Sequence, residues 1–237
     1  ILPPAETGFA LRPVSPHLGA EVEGLDITRP LDAATVAALR QALGRHGVLF
    51  FRGQRFTHDS QKRFGRYFGE LDIHPNTPGP AGHPEIMPVH ADADSKLIAG
   101  ERWHSDVSCL PEPPLGSILH LHTVPPVGGD TLFASLGAAW DALSPRFQAL
   151  LEGLTATHEG APNYRRRNRI NGVDDRGRSF PEAEHPVVIR HPITGRRGLF
   201  VNRLFTTRIN GLPEAEGEAL LRFLFEHVEK ADFQIRF

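Results

Sequence analysis

Along the first third of the chain, apolar residues recur with a helical period. After Asp32, a residue type that caps helix N-termini, Val36, Leu39 and Leu43 share one face, and Gly47 supplies a stop. The apolar run at 48–51 predicts a buried strand. Thr57 then opens a second helix with Phe64, Tyr67 and Phe68 on its apolar face, ending near Gly69. From residue 103 the texture shortens to strands. Residues 117–124 (Ser-Ile-Leu-His-Leu-His-Thr-Val) are rich in β-formers, and Gly128-Gly129 predicts a turn into Thr131-Leu-Phe-Ala134. Two short helices are expected at 138–143 and 145–154, the second capped by Ser144. Residues 159–184 are polar and Arg-rich, predicting a long mobile excursion of the kind that serves as a lid. Strands are expected again at 186–190 and 198–202. An amphipathic helix at 213–230 buries Leu220, Leu221, Leu224 and Val228, and the strand-like run Phe233-Gln-Ile-Arg-Phe237 ends the sequence.

Helices first, then strands with a few helices, predicts a mixed α+β chain with a mainly β core. A jelly roll flanked by helices fits this order better than a doubly wound sheet. With 237 residues, one large domain spanning 1–237 is expected. The sequence opens at Ile1 and stops inside a strand-like run, so it reads as part of a longer gene product.

Composition narrows the function classes. A net charge of −2 gives no general attraction to nucleic acid or anionic membrane, and Arg165, Arg166, Arg167 and Arg169 read as solvated loop charges. The single cysteine, Cys109, excludes an internal disulfide and suits the cytosol. No apolar run approaches the roughly 20 residues that cross a membrane. Glycine-rich nucleotide-binding signatures are absent.

Two residue pairs could hold a metal. In Trp103-His104-Ser105-Asp106, residues i and i+2 of a strand point to one face, so His104 and Asp106 could reach one ion. One imidazole and one carboxylate belong to the ligand mix of the facial triad that holds non-haem iron(II). The rival pair is His120-x-His122, again on one strand face, as in cupin-like metal sites. Residue types and spacing leave both open. Ser105 would face away from His104 and Asp106, and no Gly-x-Ser-x-Gly elbow exists, so a serine triad is set aside. Cys109 has no basic neighbour to activate it and reads as a structural thiol.

Longer motifs discriminate. Trp-His-Ser-Asp-Val-Ser at 103–108 is followed by Glu-Pro-Pro at 112–114 and Ile-Leu-His at 118–120. Val-Gly-Gly-Asp-Thr-Leu-Phe-Ala-Ser at 127–135 and Ala-Trp-Asp-Ala-Leu-Ser at 139–144 come next. Gly-Val-Leu-Phe-Phe-Arg-Gly at 47–53, Ile-His-Pro at 73–75, His-Pro-Val-Val at 185–188, Leu-Phe-Val-Asn at 199–202 and Phe-Thr-Thr-Arg-Ile at 205–209 extend the pattern. Together they resemble the taurine dioxygenase (taurine/2,4-D dioxygenase) family of iron(II)- and 2-oxoglutarate-dependent dioxygenases, over nearly the whole chain. The resemblance implies a double-stranded β-helix (jelly roll), iron(II) as metal and 2-oxoglutarate as co-substrate. It matches His104 and Asp106 to two iron ligands, Thr131 to the threonine that bonds the remote carboxylate of 2-oxoglutarate, and His74 to a histidine that contacts the substrate anion. It implies hydroxylation by dioxygen of a small anionic substrate, with release of succinate and carbon dioxide, plus sulfite or sulfate where the attacked carbon carries such a group. A homodimer or homotetramer is the family expectation.

The pattern departs from the family in two places. The third iron ligand, a histidine, and an arginine for 2-oxoglutarate would fall beyond Phe237, and His158, His185 and His191 do not occupy the matching position. Thr77 and Gly100 stand where taurine-specific enzymes carry an aromatic residue and an asparagine, which points to another sulfonate or a sulfate ester. A cupin-like enzyme using His120 and His122 and a non-catalytic jelly-roll binding protein are the alternatives.

Overall fold

A computed structural model describes residues 8–77 and 79–237. In the N-terminal part, β1 (Ala10–Pro13) pairs antiparallel with β2 (Ala20–Glu23). After α1 (Ala33–His46), β3 (Leu49–Phe50) joins β2 in parallel. The predicted caps of α1 form: Asp32 accepts a hydrogen bond from Thr35 N–H, and Gly47, at φ 70, donates its N–H to Leu43. In α2 (His58–Arg66) the Thr57 and Ser60 side chains bond reciprocally to each other's backbone N–H, the pattern of a capping box. This helix stops before Tyr67 and Phe68, yet both rings still pack edge-on against Phe64, at 6.4 and 5.4 Å. Phe64 joins Phe9, Val22, Ile27 and Leu39 in one core cluster.

The remaining elements follow in order: β4 (Leu132–Ala134), α3 (Leu136–Asp141), α4 (Pro145–Leu151), β5 (Thr155–Glu159), α5 (Ala161–Ile170), β6 (Glu182–Pro186), β7 (Val188–Arg190), β8 (Arg197–Leu199), β9 (Thr206–Ile209), α6 (Glu214–Val228) and β10 (Gln234–Arg236). β5 is central in an antiparallel sheet ordered β6-β5-β9, while β7 pairs with β8 and β4 with β10. The larger core lies between α3, α6 and these strands, with Trp140, Leu151, Val187, Leu199, Leu221 and Leu224 buried together. Each such side chain contributes about 1.5–3 kcal/mol of transfer free energy. The architecture is a mixed one of helices and small sheets, and it places one face of the β6-β5-β9 sheet behind the His104–Asp106 turn.

Several expectations are corrected. Residues 117–124 form no strand: Leu119, Leu121 and Val124 are more than half exposed, and no neighbouring strand among the described residues offers them a ladder. β propensity without a partner does not make a sheet. β4 pairs instead with β10, more than a hundred residues away, and Thr131 and Phe237 exchange main-chain hydrogen bonds at its end. Residues 103–106 are likewise irregular rather than a strand. The 159–184 excursion contains α5, pinned by buried Tyr164 and Asn168, and the start of β6. The helix expected at 138–143 starts earlier, because Ser135 rather than a later residue caps it. The strands β1, β2, β5 and β9 were not anticipated. Their short, polar sequences carry little periodicity.

Candidate active site

The site is built on a turn. His104 Nε2 lies 3.1 Å from Asp106 Oδ1, so the two side chains converge even though no strand aligns them. His104 Nδ1–H donates to the Arg102 carbonyl at 2.7 Å, which fixes the ring. The Ser117 hydroxyl donates to Asp106 Oδ2. His104 is raised above the ordinary histidine range, chiefly by its hydrogen bond to Asp106. Asp106 is lowered, first by His104, with Ser117 adding to the effect. With Nδ1 committed to a carbonyl, His104 Nε2 and the Asp106 carboxylate face one point.

The backbone here is strained. Val107, immediately after Asp106, has φ 41, the one positive value among the described non-glycine residues. For a β-branched residue this costs about 1–3 kcal/mol and persists only where its surroundings over-determine it. Ser108 and Cys109 are fully buried behind it.

His74 approaches from a separate loop. Its ring meets Tyr164 of α5 edge-on at 5.8 Å, its Nδ1 accepts from Asn76 N–H at 3.1 Å, and Asn76 Nδ2 donates to Asn168 at 3.2 Å. Burial lowers the His74 pKa, the positive charge of Arg167 lowers it further, and the Asp106 charge acts in the opposite sense. A cleft runs between Pro75 and Asn76 on one wall and residues 177–181 on the other. Gly100, at φ 85, borders His104: a Cβ there would come within 3.8 Å of His104 Cε1.

The other sequence candidates fare differently. Thr131 lies half-buried at the start of the β4–β10 pair, where its main chain bonds Phe237. His120 and His122 face each other with ring centroids 4.2 Å apart, His120 also touching Phe56. They gain no carboxylate: among the described residues no set of three or more His, Cys, Asp or Glu side chains is arranged to hold a metal. Sequence reasoning missed Arg102 and Ser117 as partners of His104 and Asp106, and Tyr164 and Arg167 as neighbours of His74, and it assigned no role to Ser108, His158, His185 and Asn202. Ser108, His185 and Asn202 carried a signal, as members of family motifs.

Residues 10–237 match the family model described as Taurine catabolism dioxygenase TauD, TfdA family. The chain belongs to this family. Among TauD/TfdA relatives, it is 36% identical over 236 residues to the alpha-ketoglutarate-dependent dioxygenase cnsP of Penicillium expansum, covering 94% of this chain. It spans 64% of that protein's length, so under two thirds of it. It is 34% identical over 236 residues to an alpha-ketoglutarate-dependent sulfate ester dioxygenase of Pseudomonas putida, covering 95% of this chain and 76% of that protein. The crystal structure of a taurine dioxygenase from Burkholderia xenovorans superposes with a TM-score of 0.81 at 36% identity, over 97% of this chain and 77% of that one. No helix among the described residues is long and apolar enough to cross a membrane.

Proposed function

We propose that the protein is an iron(II)- and 2-oxoglutarate-dependent dioxygenase that hydroxylates a small anionic substrate, an alkyl sulfonate or a sulfate ester. The observation that carries this reading is the convergence of His104 Nε2 and Asp106 Oδ1 at 3.1 Å, with Nδ1 already committed to a carbonyl. An imidazole nitrogen and a carboxylate oxygen supply two corners of a facial triad. The carbonyl of Arg102 and the hydroxyl of Ser117 are the outer partners that such ligands need. The third ligand is unassigned. His158 and His185 are engaged elsewhere, bonded to Ser108 and to the Leu110 carbonyl.

When bound, iron(II) with 2-oxoglutarate and dioxygen would supply the oxidant that turns a substrate C–H into C–OH, with succinate and carbon dioxide as co-products. The chain's residues hold, orient and shield the reactants. Where the attacked carbon carries a sulfonate or sulfate, the hydroxylated product collapses to an aldehyde and releases sulfite or sulfate.

His74 is the proposed anion contact. Arg167 adds positive charge beside it, and the buried Thr77 hydroxyl has no hydrogen-bond partner among the described residues, leaving it available to a substrate oxygen. Thr131 is assigned to the remote carboxylate of 2-oxoglutarate on the strength of its motif at 127–135. Residues 159–184 are the proposed lid, a reading supported by the cleft that 177–181 forms with Pro75 and Asn76. The fold proposed around the site is the family's jelly roll in a single catalytic domain. The protein is proposed to act in the cytosol as a dimer or tetramer, without nucleic acid or membrane.

The test is an anaerobic titration with iron(II) and then 2-oxoglutarate, following the visible charge-transfer band. Dioxygen is then added with an alkyl sulfate or sulfonate. The expected result is a band, then succinate and sulfate or sulfite in equal amounts. Folded protein that develops no band would sink the proposal.

A further inference from the structure

We propose that Asn202 and His158 are positioning residues for the iron-site carboxylate, acting through Ser108 to hold the turn that aims Asp106. The proposal rests on the reading of His104 and Asp106 as iron ligands. It starts from the left-handed Val107, a conformation a β-branched residue does not hold unaided.

The next three residues are each anchored to a buried partner. Ser108 Oγ lies 3.0 Å from both Asn202 Nδ2 and His158 Nδ1. The Cys109 thiol lies 3.8 Å from the Tyr164 hydroxyl, and the Leu110 carbonyl accepts from His185 Nε2 at 3.0 Å. Within the turn, Leu110 N–H bonds back to the Val107 carbonyl at 2.8 Å.

On the Asn202 side the donor and acceptor roles at Ser108 are fixed. Asn202 Oδ1 accepts from the backbone N–H groups of Leu204 and Phe205, at 3.2 and 2.9 Å, so its amide nitrogen must be the group facing Ser108. Asn202 therefore donates to Ser108 Oγ, which makes its second hydrogen bond with His158 Nδ1. The frame is rigid on the far side too. Asn202 N–H donates to Thr206 Oγ1 at 2.9 Å, and His158 stacks on Phe200 at 5.3 Å with no exposed surface. Thr206 and His158 are register partners on β9 and β5, so the sheet itself sets where Ser108 sits. Asp106 is two residues from that anchor, across the strained Val107. Loosening Ser108 lets Val107 relax and turns the carboxylate away from His104.

Cobalt(II), a redox-stable probe, would be titrated into the purified protein while its visible bands are recorded. Unfolding of the metal-free protein would be measured in parallel. Ser108→Ala and Asn202→Ala are expected to weaken cobalt binding about tenfold or more and to change the band shape, as loss of outer partners does elsewhere. His158→Asn, whose side-chain amide can stand in for Nδ1 as a hydrogen-bond partner of Ser108, should retain more affinity than His158→Ala. If either Ser108→Ala or Asn202→Ala fails to fold, the near-isosteric Thr206→Val, which removes only the hydroxyl steadying Asn202, should show the same change in smaller degree. Wild-type affinity and bands in these variants overturn the proposal. So does a loss that merely tracks melting temperature, with His158→Asn no better than His158→Ala. His104→Ala and Asp106→Ala separate the two readings. If they leave cobalt binding intact, the iron site is wrong and this inference falls with it. If they abolish binding while Ser108→Ala and Asn202→Ala do not, only this inference falls.

Discussion

Two histidine pairs in this molecule invite comparison. His120 and His122 were one of the two metal-candidate pairs that spacing offered, and their rings lie 4.2 Å apart in an irregular segment with little cover. His158 and His185 lie 5.2 Å apart beneath the Asp106 turn, buried, each bonded to a residue of that turn. Proximity of two imidazoles therefore says little. Burial and the identity of their partners decide whether histidines are available to a ligand or form part of the frame. His158 shows the consequence: burial, helped by neighbouring His185, depresses its pKa to about 4, so it stays neutral in its bond to Ser108.

The contrast can be broken most sharply at the proposed ligands. His104→Ala or Asp106→Ala should lower turnover roughly a thousandfold or more, since several kcal/mol of stabilisation leave with the metal. The His120→Ala/His122→Ala double variant should stay near wild type in the same assay. The reverse pattern would move the site to His120 and His122.

Next comes stability. His158→Ala removes a fully buried ring and a hydrogen-bond partner of Ser108, and should cost roughly 2–4 kcal/mol in denaturant unfolding. An effect under 0.5 kcal/mol would mean that the buried pair is no frame at all.

A pH series sharpens the same point. The folded pKa of His158 lies below the ordinary value near 6.5, so between them the unfolded chain binds more protons than the folded one. Its contribution is fully present above about pH 6.5 and is lost as pH falls toward 4, on the order of 3 kcal/mol in all. Melting curves of wild type and His158→Asn should diverge at neutral pH and converge in acid. Parallel curves would show that His158 already titrates normally.

A smaller effect is expected at the substrate anion. His74→Ala and Arg167→Gln should each raise KM for an anionic substrate about tenfold with little change in kcat, as loss of uniform binding does. A fall in kcat at constant KM would place them in the chemistry instead. Smallest of all, the double substitution at His120 and His122 should change unfolding free energy by less than about 0.5 kcal/mol, the usual range for surface positions.

How much of this was legible in the chain depends on the range of the interactions. Asp32 and Gly47 bound α1, Thr57 opens α2 and Ser144 caps α4 as read, because helix caps and helical periodicity are settled within four or five residues. Likewise α6 buries Leu221, Leu224 and Val228 on the face its spacing predicts. The family was legible too, since its motifs are local strings of residues.

Strands are settled elsewhere. Residues 117–124 have the propensity for a strand and lack a ladder, while β5, a polar Thr-Ala-Thr-His-Glu run, is a central strand because β6 and β9 flank it. His104 and Asp106 do converge, but not by the geometry expected of them. Strand alternation was to bring them together, whereas a turn with a strained Val107, anchored from β5, β6, α5 and the segment before β9, does so. By itself the sequence determined α1, α2, α4 and α6, caps such as Asp32 and Thr57, and the family, all of which depend on near neighbours. Only the tertiary structure decided which histidines are buried and neutral, which are exposed, and where Asp106 points. Burial, desolvation and strand pairing are set by residues fifty to a hundred positions away, which no local pattern encodes.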